Sequence, residues 1–535
     1  MFVENIVIGA GPAGLQLGYF FEKKSIPYII FEKEKCAGSF FTKYPLSGKL
    51  ISVNKKHTGS DKKDFNLRHD WNSLLSDKNL LFTDYSDDYY PDRKDLVDYL
   101  GDFAKECNIK IQYESQVLKI RKEGPLYIVQ ISDAKKVIKD YTCTRLIVAT
   151  GLSQPVYPNI QKNYKREIKH YGQFEKDAFL RRENLEQYKN KSVLIIGGGN
   201  ASYELGNLLT PLCSTVAIIG RKAKNWALSS HYTGDIRSIY LPFMDTFLLK
   251  SLNAIDRNVF ASFCIDQEKE DSQYMVSSLC GHPKCTIKHP IFNTDTSKFD
   301  HVILCTGWKF DSSIFGFELD LIGNDKYPAI KANYESENNS NLFFIGSLMH
   351  SHDYKQSSGG FIHGFRYLIK NFMNMNYSFE YDINTFQFEK SMYTIIPDIV
   401  NHIVNKINYS SPMYQMYGQI GDFFFRNEAK KQVLYYNNVN RSMIREKYIP
   451  FDSDFGFFLT LEYGRKTVTD INDIGRKVSE VGTESNSTLL HPVLTVIYKN
   501  MEILDRFHFD EDLFANYEDK SQYYYKFVRI LKMFV

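Results

Sequence analysis

Residues 5–14 read Asn-Ile-Val-Ile-Gly-Ala-Gly-Pro-Ala-Gly, a short apolar run that ends in a glycine-rich turn. A helical stretch, Leu15–Lys24, follows, and a second apolar run, Tyr28–Phe31, ends at Glu32. A strand, a glycine turn, a helix and a second strand within about 30 residues form the unit that binds a dinucleotide. The glycines allow close approach to a pyrophosphate, and the helix N-terminus attracts its charge. Glu32 lies where a carboxylate can accept hydrogen bonds from ribose hydroxyls.

A second unit of this kind begins at Ser192. The strand Val193–Ile196 runs into Gly197-Gly198-Gly199-Asn200-Ala201-Ser202, and the strand Val216–Ile219 ends in Gly220-Arg221-Lys222. No carboxylate follows that last strand, and the positive charges of Arg221 and Lys222 suit a 2′-phosphate. The sequence therefore favours NADPH over NADH, with a solvated basic turn as the alternative. Two dinucleotide folds predict two cofactors, one for electron storage and one for hydride supply.

Composition excludes several classes of protein. The chain has 535 residues, enough for two to four domains, and 43% of them are hydrophobic. The net charge of +3 argues against a nucleic-acid surface or a polybasic membrane anchor. No apolar run reaches the roughly 18 residues needed to span a bilayer. Eight scattered cysteines and an N-terminus without a secretory pattern predict a cytoplasmic enzyme.

Two further strands end in Thr-Gly, a place where a chain often re-enters one domain from another. Leu146–Ala149 runs into Thr150-Gly151, and Val302–Cys305 runs into Thr306-Gly307. Between the first unit and Thr150 the apolar runs predict an antiparallel meander, with strands at 109–113, 117–120 and 127–131.

These strands divide the chain into three parts. We expect a split first domain, residues 1–155 and 310–375, around an inserted domain at 156–309 with a polar insertion near 267–290. Residues 376–535 no longer alternate strand and helix and predict a separate, helix-rich C-terminal domain. The predicted fold class is α/β, with two Rossmann-like dinucleotide-binding domains.

This arrangement resembles the flavoproteins with two dinucleotide-binding domains, which include disulfide reductases, flavin-containing monooxygenases and amino-acid N-hydroxylases. The resemblance covers about residues 1–375 and implies that the first fold binds FAD and the inserted fold binds NAD(P)H. A disulfide reductase needs two neighbouring thiols beside the flavin. The chain has no Cys-x-x-Cys, and its Cys280 and Cys285 lie in the polar insertion. The resemblance therefore favours the monooxygenase branch.

Two segments resemble flavin-containing monooxygenases in detail. Residues 32–41 are similar to the acid, basic residue, glycine and aromatic residue that follow the second FAD strand. Residues 52–56 are similar to the loop in which an asparagine approaches the flavin C4a position. That likeness implies that Asn54 lies beside this position and the retained NADP⁺, and the alternative for Asn54 is a loop-capping side chain.

A more specific likeness extends over nearly the whole chain. The sequence resembles the FAD-dependent oxidoreductase domain-containing protein 2 family, an endoplasmic-reticulum flavoprotein family associated with degradation. Because the chain has neither a signal nor a KDEL-like ending, the likeness implies a signal-less relative, to which the degradation role does not transfer. The likeness is carried by the runs at 38–45, 65–75, 358–367, 414–418, 461–465 and 490–493.

The family likeness marks a histidine-rich segment near the third FAD segment. The usual Gly-Asp is Gly346-Ser347 here, so Asp353 is the candidate carboxylate for the ribityl chain. His350 is the candidate proton donor near the ring, because histidine titrates near neutral pH. The helix that begins at Gly360-Phe361 is expected to aim backbone N–H groups at the flavin.

The predicted site contains 28 residues, and it contains no metal ligand. Asn54 and His350 are the predicted catalytic residues. The predicted FAD-binding residues are Gly9, Gly11, Pro12, Ala13, Gly14, Glu32, Lys33, Ser39, Phe40, Asn54, Val117, Ala149, Thr150, Gly151, Gly346, Asp353, Gly360 and Phe361. The predicted NADPH-binding residues are Gly197, Gly199, Asn200, Ala201, Ser202, Arg221, Lys222, Thr306 and Gly307.

The predicted activity is an FAD-dependent, NADPH-using monooxygenase. The expected reaction uses O₂ and a C4a-(hydro)peroxyflavin to hydroxylate nitrogen or sulfur of a small molecule. One alternative is an NADPH-dependent flavin reductase or oxidase without oxygen transfer. Another is a flavin-bound interaction protein whose C-terminal domain recruits clients. We expect no nucleic-acid or membrane partner and consider a homodimer as the assembly.

Overall fold

The structure is a computed structural model. It describes residues 1–158, 161–163, 168–174, 185–220, 224–249, 254–258, 263–267, 273–278, 296–379, 381–465, 473–478 and 480–534. In these ranges no helix combines the length and apolarity that a bilayer crossing requires.

The first two thirds of the described chain consist of strands with helices between some of them. In chain order the strands are β1 Asn5–Ile8, β2 Tyr28–Phe31, β3 Ile111–Gln112, β4 Gln116–Glu123, β5 Leu126–Ser132, β6 Ile138–Cys143, β7 Arg145–Val148, β8 Gln154–Pro155, β9 Gln161–Asn163, β10 Lys169–His170, β11 Ser192–Ile196, β12 Thr215–Gly220, β13 Ala254–Asn258, β14 Phe263–Asp266, β15 Tyr274–Ser278, β16 Thr296–Phe299, β17 His301–Leu304, β18 Trp308–Lys309, β19 Leu321–Ile322, β20 Tyr327–Pro328, β21 Leu342–Phe344, β22 Ile383–Gln387, β23 Ile420–Asn427, β24 Gln432–Asn440, β25 Phe455–Tyr463, β26 Leu490–Tyr498 and β27 Ile503–His508. The helices are α1 Pro12–Lys23, α2 Lys63–His69, α3 Arg93–Glu106, α4 Asn200–Leu209, α5 Ala227–Ser230, α6 Leu241–Leu248, α7 Ile362–Tyr377, α8 Ile396–Tyr409, α9 Ser411–Gln415, α10 Arg441–Arg445 and α11 Tyr525–Lys532.

The first glycine turn belongs to a five-stranded parallel sheet. Its strand order is β21-β7-β1-β2-β3, so the chain returns to the sheet from positions more than 300 residues apart. The strand β1 is fully buried, as expected for the apolar centre of a sheet with both faces covered. One predicted strand was misplaced: Ile111–Gln112 extends this parallel sheet beside β2, and the antiparallel meander consists of β4, β5 and β6.

The second glycine turn belongs to another five-stranded parallel sheet, with the order β10-β17-β11-β12-β13. A short antiparallel pair, β8 with β18, joins the two folds where the chain leaves the first and returns to it. A four-stranded sheet, β16-β15-β14-β9, also lies in the inserted part. The prediction of two Rossmann-like folds is confirmed.

The C-terminal part is built on a sheet, and the prediction that it is helix-rich was wrong. Six antiparallel strands have the order β22-β24-β23-β25-β26-β27, and α8 packs against them. The strands β23, β25 and β26 are buried over most of their length, on both faces. A strand buried on both faces has a continuous apolar run without period-two alternation, so its sequence does not distinguish it from a buried helix.

Candidate functional site

The first glycine turn is shaped for a phosphate. Gly9 has φ of +102°, and a Cβ atom there would lie 2.9 Å from the carbonyl oxygen of Ala149. A Cβ atom on Gly14 would lie 2.0 Å from the carbonyl oxygen of Gly9, so neither position accepts a side chain without rearrangement. A Cβ atom on Gly11 would meet open space, and no side chain caps the helix that starts at Pro12. Uncapped N–H groups facing open space fit a pyrophosphate.

Glu32 is fixed at the end of β2 beside this turn. It is buried, and one carboxylate oxygen accepts a hydrogen bond from Ala10 N–H at 2.9 Å. The other oxygen accepts hydrogen bonds from Glu34 N–H at 3.0 Å and from the Ser39 hydroxyl at 3.1 Å. The carboxylate is therefore held in a defined orientation at the edge of the turn, as a ribose-binding acid requires.

Three other predicted FAD-binding residues, Lys33, Phe40 and Val117, lie near Glu32 and form no hydrogen bond to its carboxylate among the described residues. Lys33 and Phe40 are exposed. Val117 lies on β4 near Glu32, whose carbonyl oxygen accepts a hydrogen bond from Ser115 N–H at 2.8 Å.

Three strand ends meet at the N-terminus of α1. Ala149 N–H donates to the carbonyl oxygen of Ile8 at 2.9 Å, which places Thr150 and Gly151 next to the first turn. A Cβ atom on Gly346, after β21, would lie 2.5 Å from the Cβ atom of Ala13. The predicted FAD-binding residues of β1, β7 and β21 are thus brought together at one edge of the sheet.

His350 and Asp353 form a buried hydrogen-bonded group with a third residue, Tyr232. The His350 Nδ1 atom lies 2.7 Å from an oxygen of Asp353, and its Nε2 atom lies 2.7 Å from the Tyr232 hydroxyl oxygen. Asp353 also accepts hydrogen bonds from the Ser357 hydroxyl and from Gly359 N–H. We call Tyr232, His350 and Asp353 the triad.

The triad fixes the roles of the imidazole nitrogens. Because the Asp353 carboxylate accepts from Nδ1–H, the Nε2 atom of His350 accepts from the Tyr232 hydroxyl. Burial raises the pKa of Tyr232, so its proton is retained at neutral pH. Phe361 at the start of α7 packs against Tyr232 and His350, and a Cβ atom on Gly360 would lie 2.7 Å from the imidazole. The triad therefore lies at the N-terminus of α7.

Asn54 is buried in a neighbouring loop and its amide is already used. The Nδ2 atom donates to the carbonyl oxygens of Ser86 at 2.8 Å and Asp88 at 3.2 Å. Its Oδ1 atom is buried and has no hydrogen-bond partner among the described residues. A buried acceptor without a donor fits a ligand N–H group. Asn54 forms no hydrogen bond with the triad in this part of the chain.

The second glycine turn repeats the first with one change. Gly197 has φ of +149°, and a Cβ atom there would lie 2.1 Å from the carbonyl oxygen of Cys305. Gly199 faces open space at the uncapped N-terminus of α4. Ser202, which stands in place of the third glycine, is fully buried. The carbonyl oxygen of Ala201 lies 3.8 Å from the Cys305 sulfur atom and accepts its weak hydrogen bond. The turn fits a second pyrophosphate.

Three further predicted NADPH-binding residues, Asn200, Thr306 and Gly307, are hydrogen-bonded to other parts of the chain. The side chain of Asn200 bonds to the backbone of Asp235 and Arg237, so it holds a loop rather than facing the open space. Thr306 donates its hydroxyl to the carbonyl oxygen of Val156, and Gly307 accepts from Val156 N–H.

Both basic residues predicted for the 2′-phosphate, Arg221 and Lys222, lie outside the described residues. Lys224 was not predicted, but its side chain lies beside the turn, 3.9 Å from a Cβ atom placed on Gly198. The Lys224 side chain is also 3.5 Å from a Cβ atom placed on Gly220.

Direct contacts connect the two nucleotide folds. The Tyr44 ring stacks on Tyr171 with centroids 5.5 Å apart, and the Tyr44 hydroxyl donates to the carbonyl oxygen of Gly172 at 2.6 Å. Glu204 of α4 accepts from the Tyr171 hydroxyl at 2.7 Å and from Ser47 N–H at 2.6 Å. Burial raises the pKa of Glu204 above its ordinary value. We call Tyr44, Ser47, Tyr171 and Glu204 the interdomain lock.

Comparison with known proteins places the chain in a family. The family described as pyridine nucleotide-disulphide oxidoreductase matches residues 6–346. The protein named FAD-dependent oxidoreductase domain-containing protein 2 of Mus musculus is 32% identical over 518 residues, which cover 92% of this chain and 75% of that protein. The chain belongs to the family of FAD-dependent oxidoreductase domain-containing protein 2. The protein of the same name from Danio rerio is 31% identical over 535 residues, with the same two coverages.

Two solved structures confirm the fold. The flavin-containing monooxygenase from Stenotrophomonas maltophilia has a TM-score of 0.51 at 18% identity, and the match covers 69% of this chain and 96% of that chain. The FAD-bound cadaverine monooxygenase of Erwinia amylovora has a TM-score of 0.51 at 14% identity, with coverages of 70% and 94%. With the family match, these findings make the chain an FAD-dependent oxidoreductase and support FAD and NADPH as its cofactors.

Proposed function

We propose that this enzyme is an NADPH-dependent flavin monooxygenase that hydroxylates nitrogen or sulfur of a small molecule. When bound, FAD supplies the redox chemistry, since it accepts two electrons from NADPH and delivers them to O₂. The interdomain lock carries the proposal. A nicotinamide that stays beside the flavin while O₂ reacts requires two folds that do not separate, and Tyr44, Tyr171 and Glu204 join them directly.

Four buried thiols support an acceptor other than a disulfide. A thiol attacks as its thiolate, which a raised pKa disfavours. Burial raises the pKa of Cys107 to about 11 and that of Cys143 and Cys213 to about 12. Burial also raises the pKa of Cys305. Cys280 and Cys285 lie outside the described residues.

We assign binding roles to the chain's own groups. The N–H groups at the start of α1 bind the pyrophosphate of FAD, and Glu32 binds the adenosine ribose. The unpartnered Oδ1 atom of Asn54 accepts a hydrogen bond from the bound cofactor or substrate. The triad is assigned to proton exchange at the start of α7. Both ring nitrogens of His350 are occupied, so a bound ligand exchanges its proton with the Tyr232 oxygen: as this oxygen takes up a proton, the Tyr232 hydroxyl proton moves to His350 Nε2, and the reverse transfer returns it.

The preference for NADPH is assigned to a basic group at the second turn. Lys224 lies beside Gly198 and Gly220, and we propose that it acts with Arg221 and Lys222 on the 2′-phosphate. The Michaelis constant for NADPH is expected to be well below that for NADH. Equal constants would contradict this assignment.

One observation favours the alternative, an NADPH-dependent oxidase or reductase without oxygen transfer. Both N–H groups of Asn54 face the loop at Ser86 and Asp88, so they do not point toward a reacting oxygen. In that case O₂ or a partner protein takes the electrons directly.

Isotope labelling separates the two functions. The FAD-loaded protein is incubated with NADPH, ¹⁸O₂ and a panel of primary amines and thioethers, and the products are analysed by mass spectrometry. Monooxygenation places one ¹⁸O atom in a product for each NADPH consumed. Full recovery of the label as hydrogen peroxide across the panel would support the oxidase.

We also propose the domain division 1–155 with 310–375, 156–309 and 376–535. The pairing of β8 with β18, and the separate sheet after residue 376, support it.

A further inference from the structure

A cavity of about 330 Å³ lies apart from both glycine turns. It opens between α1 and α7, which contribute Tyr19 and Lys370, and Pro412 and Asn438 of the C-terminal part close it. A helix rises about 1.5 Å per residue, so Lys370 lies about 12 Å along α7 from its first residue, Ile362. The cavity is therefore about two helical turns away from the end of α7 that carries the triad.

The cavity contains two charges of opposite sign that do not pair with each other. Lys370 forms no ion pair within 4.0 Å with any residue that the structure describes. Asp64 bonds to the Ser411 backbone and, over the same residues, likewise has no ion pair within that distance. The other two charged residues of the lining, Lys23 and Asp77, neutralise each other at 3.3 Å.

Burial disfavours both unpaired charges. Burial lowers the pKa of Lys370 and raises the pKa of Asp64, and it outweighs the opposing attraction of Asp382 on Lys370 and of Lys406 on Asp64. Each group therefore gains from a ligand that brings the opposite charge.

The amides of the lining are already bonded to the protein. The Nδ2 atom of Asn371 donates to the carbonyl oxygen of Asn438 at 3.3 Å. The Oδ1 atom of Asn438 accepts from the Lys406 ammonium, also at 3.3 Å. Lys406 in turn lies 3.9 Å from the buried carboxylate of Asp422. These bonds fix the wall and leave the ammonium of Lys370 and the carboxylate of Asp64 to meet a ligand.

Aromatic rings form the rest of the wall. Phe20 and Phe379 pack edge to face with centroids 5.4 Å apart. Tyr19, Tyr367 and Leu75 continue the apolar surface. A ligand that fits this lining combines two opposite charges with an apolar body, and a cavity of this volume is within the usual range for small molecules.

We propose that this cavity is a binding site for a small zwitterion, an amino acid with an apolar side chain. Lys370 binds its carboxylate, Asp64 binds its ammonium group, and the rings contact its side chain. The site is separate from the proposed oxygenation site and does not depend on that function.

Calorimetric titration of the FAD-loaded full chain tests the proposal with three probes. L-phenylalanine carries both charges, 3-phenylpropanoate carries the carboxylate alone, and 2-phenylethylamine carries the ammonium alone. We expect saturable binding of L-phenylalanine, and binding at least about tenfold weaker for each single-charge probe. No saturable binding of L-phenylalanine, or equal binding of all three probes, would overturn the proposal.

Two variants locate the binding. Lys370→Met and Asp64→Asn should each weaken L-phenylalanine binding at least about tenfold, while the exposed control Lys105→Met leaves it unchanged. Flavin absorbance and NADPH oxidation should stay at the wild-type level in all three. Unchanged binding in both cavity variants would overturn the assignment. If one variant does not fold, the other variant and the probe series decide.

Discussion

Tyr232 is a residue that sequence patterns do not mark. His350 and Asp353 are three positions apart, so their contact is local and their shared site could be predicted. Tyr232 is 118 positions from His350 and joins it only through the docking of two folds. The same reason hides Lys224 and Glu204, whose neighbours are set by tertiary contacts rather than by spacing.

The triad predicts the effect of a single hydroxyl. Tyr232→Phe removes the donor to His350 Nε2 and the terminal group of the proton path. We expect FAD to remain bound and the turnover number to fall about 100-fold, a usual contribution of general acid–base catalysis. The measurement is kcat for NADPH oxidation over a range of pH, with flavin absorbance as the check that FAD stays bound.

Tyr354→Phe is the matched control. Its ring also packs against the imidazole, with centroids 5.6 Å apart, but its hydroxyl bonds to Lys326. It should keep the wild-type kcat and pH profile. Equal losses in the two variants would show that the triad acts by packing alone.

At the scale of elements, the glycine turns were predictable and the C-terminal strands were not. A glycine turn between a strand and a helix is a local signal, and β1, α1 and β2 follow it. The strands β23 and β26 lie between two buried faces, so their apolar runs have no period that identifies them. Their pairing with neighbouring strands makes them a sheet: β23 pairs with β24 and β25, and β26 pairs with β25 and β27.

Helix α7 holds the Asn54 region through a buried arginine. Arg366 is fully buried and donates to the carbonyl oxygens of Leu67, Asp70 and Ser73 at 2.7–3.0 Å. This segment pairs with Asn54 through a bridge at Asp70. The arginine thus fixes the loop that would contact the cofactor.

We expect Arg366→Met to destabilise the protein by about 3 kcal/mol or more, because three buried carbonyls lose their donor. Urea unfolding of the FAD-loaded protein measures the change. The exposed Arg445→Met should change the free energy of unfolding by less than about 0.5 kcal/mol. A loss for Arg366→Met as small as that of the control would contradict this role of Arg366.

At the scale of the whole molecule, the interdomain lock was not predictable. Its four residues come from a loop of the first fold and two segments of the inserted fold, and no motif connects them. The sequence predicted the two folds and their cofactors but not the contacts that hold them together.

The lock predicts a pH dependence. Burial raises the pKa of Glu204 above 4.5, so the native state binds its proton more tightly than the unfolded state. Its contribution to stability is complete below pH 4.5 and is lost as pH rises through the folded pKa. As pH rises above about 4.5, the wild-type free energy of unfolding should fall relative to that of Glu204→Gln.

Urea titrations of both proteins at several pH values measure this difference. The exposed Glu186→Gln on the same fold is the control and should follow the wild type at every pH. A difference between wild type and Glu204→Gln that does not change with pH would contradict the assignment.

Stopped-flow absorbance tests whether the enzyme passes electrons from NADPH to O₂ and stabilises the oxygenated state that oxygen insertion requires. The FAD-loaded protein is reduced with NADPH without oxygen and then mixed with oxygenated buffer. We expect rapid reduction and then a long-lived species that absorbs between the reduced and oxidised flavin bands. Absence of reduction by NADPH, or direct return to oxidised flavin with and without amine or thioether substrates, would contradict it.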